Sequence, residues 1–116
     1  MNLRTRYPGH LKTAAVRREI THISQMLQTC LDRYGGSGPF LFNSFTLADA
    51  FFAPVATRIQ TYGLVLANPA AAYARHLLLH EAVREWIDAG IRETFRDAAH
   101  EVDCLANGEL LQDLRA

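Results

Sequence analysis

Few residues in this sequence are of types and spacings that could do chemistry. His76 and His80 stand four apart with Glu81 beside them, and on a helix that spacing puts both imidazoles on one face, where they could hold zinc. The zinc-protease pattern needs a Glu directly after the first His, and Leu77 stands there instead. No third ligand follows, so the pair reads as a polar helix edge and no metal is assigned. His10, His22 and His100 are isolated. Asp49 lies among Phe, Ala and Leu, an apolar setting in which a carboxylate could become a general base. Its local context explains it better. Thr46-Leu47-Ala48-Asp49 is a capping box: the Thr46 hydroxyl accepts from the Asp49 amide, and the Asp49 carboxylate reaches back to the Thr46 amide. Gly35-Gly36-Ser37-Gly38 has too little of a phosphate loop to hold a nucleotide, since it follows a helix and no Lys comes after it. Cys30 and Cys104 read as small half-buried hydrophobes. We expect no catalytic residue.

The elements that must position these residues are helical. Val16, Ile20, Ile23, Leu27, Cys30 and Tyr34 advance in steps of three and four, which predicts a helix over 13–34, capped by Thr13 and ended by Gly35-Gly36. The loop 35–45 carries Phe40, Leu41, Phe42 and Phe45, and so is expected to lie on the core. A second helix, 46–62, opens with the capping box, contains Pro54 and stops at Gly63; we expect it to be kinked, central and the most buried. Asn68-Pro69 starts a third over 69–79, with Asn68 as its cap and Tyr73 and Leu77 inward. A fourth, 81–93, turns Val83, Trp86, Ile87 and Ile91 to one side. Helical spacing persists over 94–106, Asn107-Gly108 breaks it, and the last eight residues read as a short helix or a frayed end. Tyr7-Pro8-Gly9 reads as a turn, and no strand or repeat is expected. The fold class is all-α, a helical bundle.

The 116 residues make a single domain, 1–116, able to bury a core. Twelve basic and twelve acidic side chains cancel, which argues against nucleic acid and against a membrane surface. No apolar run is long enough for a membrane span, and no secretion signal opens the chain, so a cytoplasmic location is expected. The neutrality hides an asymmetry. Residues 1–18 carry five basic and no acidic groups, whereas 81–116 carry nine acids against four arginines. The two ends are expected to meet, within one chain or between two.

Taken together, Gly38-Pro39-Phe40-Leu41-Phe42, Phe45-Thr46-Leu47-Ala48-Asp49-Ala50-Phe51-Phe52-Ala53-Pro54, Thr57-Arg58, Thr61-Tyr62-Gly63 and Ala82-Val83-Arg84-Glu85-Trp86 resemble the C-terminal helical domain of bacterial cytosolic glutathione S-transferases. The start, Met1–Arg4 with Tyr7-Pro8-Gly9, is similar to the segment between that domain's first two helices. The resemblance covers about 1–92; the tail 94–116 diverges. It implies that Thr46 and Asp49 are a folding motif, and that Phe52, Arg58 and Tyr62 form a candidate wall for a hydrophobic ligand. The family binds glutathione in a thioredoxin-like N-terminal domain, which this sequence lacks, as it lacks a counterpart of the family's first C-domain helix. The expectation is therefore a stand-alone or truncated domain that is a non-catalytic binding or assembly module, with no glutathione cofactor site of its own. The alternative is the helical half of a transferase that conjugates glutathione to hydrophobic electrophiles only with a separate thioredoxin-like partner. Loss of the covering parts would expose apolar surface, so a homo-oligomer, most simply a dimer, is expected.

Overall fold

The computed structural model describes residues 5–6, 13–106 and 109–114. The turn expected at Tyr7-Pro8-Gly9, the resemblance at Met1–Arg4 and the break at Asn107-Gly108 lie outside the described residues. Five helices account for most of the rest: α1 Ala14–Tyr34, α2 Leu47–Tyr62, α3 Ala70–Leu79, α4 Glu81–Arg92 and α5 Ala98–Ala106. The chain is all-α in class. Two strands of two residues each, β1 (Thr5–Arg6) and β2 (Gln112–Asp113), pair antiparallel with Thr5 opposite Asp113 and Arg6 opposite Gln112. The tail therefore ends in a strand pair rather than the expected helix or frayed end.

The helix ends follow from local chemistry. Thr13 caps α1, its hydroxyl accepting from the Val16 amide at 3.2 Å. Gly63 closes α2 at φ +59, the left-handed region where a side chain is strained. Pro69 stands at the cap position of α3 and makes no side-chain cap, so Asn68 is not the cap expected from the sequence. Asp97 opens α5, its carboxylate accepting from the His100 amide at 3.0 Å. The helix thus starts four residues later than the apolar spacing suggests.

The core contains Leu27 of α1, Leu41 of the loop, Ala53 and Ala56 of α2, Leu66, Ala70, Tyr73, Ala74 and Leu77 of α3, and Val83 of α4. The helix at the centre is α3, which packs on α1, α2 and α4. Its small residues Ala70 and Ala74 allow close approach, and its large ones, Tyr73 and Leu77, fill the space between neighbours. This corrects the expectation that α2 is central and most buried. Helix α2 buries Asp49, Ala53, Ala56, Thr57 and Thr61, but Leu47 is 74% and Phe51 75% exposed. Trp86 is likewise 42% exposed, leaving Val83 as the buried residue of α4. In the loop, Leu41 is buried and Phe40 and Phe45 are half-buried, while Phe42 is exposed and stacks on Tyr34 at 5.5 Å.

Candidate functional site

The polar centre of the molecule is Asp49, which is 0% exposed. A buried carboxylate is costly unless its oxygens are hydrogen-bonded. Here each oxygen has two donors. Oδ2 accepts from the Thr46 amide at 2.8 Å and from the Thr46 hydroxyl at 3.0 Å. Oδ1 accepts from the Leu41 amide at 3.2 Å and from the Tyr73 hydroxyl at 3.0 Å. The first pair belongs to a capping box at the start of α2. The second pair joins that helix end to the apolar loop and to α3. Burial, then the charge of Asp49 and the hydrogen bond to it, raise the Tyr73 phenol well above its ordinary value. Tyr73 is therefore a neutral donor, matched to a carboxylate acceptor.

Four donors fill the acceptor positions of this carboxylate, and no solvent reaches it. A general base must lie within hydrogen-bonding reach of a substrate proton, and Asp49 offers no such approach. Sequence reasoning identified Asp49 and Thr46 but missed Tyr73 and the Leu41 amide. Tyr73 lies 24 positions away on another helix, and no local spacing signals that contact.

The candidate ligand wall divides. Phe52 is half-buried and lies edge-on to Tyr73, with centroids 6.5 Å apart. Arg58 is exposed, and Tyr62 follows it one turn later. Phe52 and Arg58 are about 120° apart around the helix, so α2 brings Arg58 and Tyr62 together and leaves Phe52 on the side toward α3. The histidine pair also divides. His76 is exposed on α3, whereas His80 lies at the α3–α4 junction with its ring stacked on Phe45 at 3.9 Å. Among the described residues, no three His, Cys, Asp or Glu side chains gather where they could hold a metal. Cys30 and Cys104 are free thiols, each half-buried.

Among the described residues, apolar area is exposed in several places, two of them on or beside α2. One is the exposed face of α2 at Leu47 and Phe51, one turn apart. The other is a groove of about 430 Å³ between the end of α2 and α3, lined by Ile59, Leu64, Leu66, Ala74 and Leu78 with Arg75. Among the described residues, no helix is long and apolar enough to cross a membrane.

In comparison with known proteins, a family model described as glutathione S-transferase, C-terminal domain, matches residues 13–89. No curated protein and no solved structure matches.

Proposed function

The chain belongs to the glutathione S-transferase C-terminal domain family, and from that premise we propose that it acts as a cytoplasmic, non-catalytic helical module that binds or assembles with partners. One observation carries the reading: the most suggestive acid in the chain, Asp49, is committed to four internal donors. In this reading Thr46 and Asp49, with Tyr73, are a folding motif that locks the loop, α2 and α3 together, and residues 1–116 act as one domain. Transferase chemistry requires a stabilised thiolate placed beside an electrophile. No residue described above supplies such a site. The test is a conjugation assay with the purified chain, glutathione and a hydrophobic aryl halide. We expect turnover at the uncatalysed rate; saturable acceleration by the chain alone would overturn the proposal.

A second reading is favoured by Leu47 and Phe51. These side chains stand at the start of α2 with about three-quarters of their surface in water, a costly arrangement unless something covers them. In this reading the chain is the helical half of a transferase, and a separate thioredoxin-like polypeptide docks on this face. Adding such a domain in trans should restore conjugation, and Phe51→Asp should abolish that restoration while leaving the helical content unchanged.

A further inference from the structure

A cavity of about 240 Å³ lies between the end of α1, the glycine loop that follows it and the first turns of α3. Leu31, Pro39, Pro69 and Ala72 give it apolar walls, and Gly35 and Gly36 leave bare backbone along the loop. Asp32 of α1 and His76 of α3 also line it, and both are exposed. Among the described residues, neither has a hydrogen bond or an ion pair. Tyr73 lines it too, but its hydroxyl already donates to Asp49. The arginines next to these side chains in sequence lie elsewhere: Arg75 lines the α2–α3 groove, and Arg33 is not on the cavity wall. The cavity is electronegative for a second reason, because α1 ends at its rim. The Gly35 amide donates to the Leu31 carbonyl at 3.0 Å, and among the described residues the carbonyls of Asp32, Arg33 and Tyr34 follow that last helical bond without a backbone donor. Such carbonyls carry the negative end of a helix, and a cation beside them is stabilised.

We propose that this cavity binds a short primary alkylammonium ion. The head group donates three hydrogens. Its acceptors are the Asp32 carboxylate, the last carbonyls of α1 and a ring nitrogen of His76 in its neutral form. The alkyl chain lies along Leu31, Pro39, Pro69 and Ala72, and the volume limits it to a few carbons. A carboxylate or phosphate ligand would meet Asp32 and the negative helix end, and is rejected. A bare metal ion would need a further side-chain ligand, and among the described residues no third one gathers. The cavity is separate from the Leu47–Phe51 face, so the inference goes beyond the proposed function and either can fail without the other.

Titration of the isotope-labelled chain with n-butylammonium chloride, followed by amide NMR at constant ionic strength, tests it. The amide signals of Asp32, Gly35, Gly36 and Ala72 should move along one saturating curve. The uncharged match, n-butanol, should not move them so. Asp32→Asn removes the negative charge, and His76→Arg places a fixed positive charge on the facing wall. Both change exposed side chains, so circular dichroism should be unaltered, and each should weaken binding about fivefold or more. The absence of a saturable shift at these amides would overturn the proposal. So would equal binding of n-butanol, or an affinity unchanged in either variant.

Discussion

At the scale of single residues the molecule is organised by one acid and the four donors around it. Asp49→Ala removes the acceptor and leaves the Leu41 amide, the Thr46 amide and the Tyr73 hydroxyl without this partner. Each stranded donor costs about 1–3 kcal/mol, so a loss of about 3 kcal/mol or more is expected in urea denaturation. Tyr73→Phe keeps the ring and removes a single donor; about 1–3 kcal/mol is expected. The pair also has an alkaline signature. The Tyr73 proton is held more tightly in the folded chain than in the unfolded one. Its stabilising contribution is therefore full below the ordinary phenol value of 10.0 and is lost as the pH rises above it. The decline reaches about 1.4 kcal/mol per pH unit. Denaturation at rising pH should show the advantage of the native chain over Tyr73→Phe narrowing above that point. A constant difference would mean that the hydroxyl is not held by the carboxylate.

At the scale of elements, spacing and caps located the first four helices closely. Helix α1 was expected over 13–34 and runs Ala14–Tyr34; α2 was expected over 46–62 and runs Leu47–Tyr62. These limits are set by neighbours in sequence, such as Thr13, the Thr46–Asp49 box and Gly63, and are legible for that reason. Rank in the core was not. Periodicity shows that a face is apolar, but not whether another element covers it: α2 was expected to be the most buried helix, yet its Phe51 lies at the surface, as does Trp86 of the apolar face of α4. The start of α5 was missed because the apolar spacing continues through 93–97, while two acids turn the chain there. Glu93 accepts from the Phe95 amide at 2.9 Å, and Asp97 caps the helix. The Asp at that position was the available signal. The central place of α3 carries its own prediction. Leu77 is fully buried where α3 meets its neighbours, and Leu77→Ala should cost about 2–5 kcal/mol in thermal or urea unfolding. In the loop, Gly38→Ala would place a methyl group 1.9 Å from the Asn43 carbonyl oxygen. The loop must then shift, and with it the Leu41 amide that serves Asp49.

At the scale of the whole molecule, a helical body formed by α1–α4 is joined to a tail that adds little to its interior. Ending the chain after Arg92 removes α5 and β2 but no core residue. The melting temperature should fall by only a few degrees, since a change of about 1 kcal/mol moves a domain of this size by about 4–8 °C. Differential scanning calorimetry would show it, and collapse of the transition would mean that the tail supports the body. The matched span, 13–89, covers α1–α3 and most of α4 and stops short of the tail. The pairing of Thr5 with Asp113 has a topological outcome. The polypeptide enters the fold and leaves it at the same end of one short ladder, on adjacent strands about 5 Å apart. Anything fused ahead of residue 5 and anything fused beyond residue 113 would depart side by side. A linker bridging those two points, with the chain opened instead at 93–97, should give a circular permutant that folds to the same body.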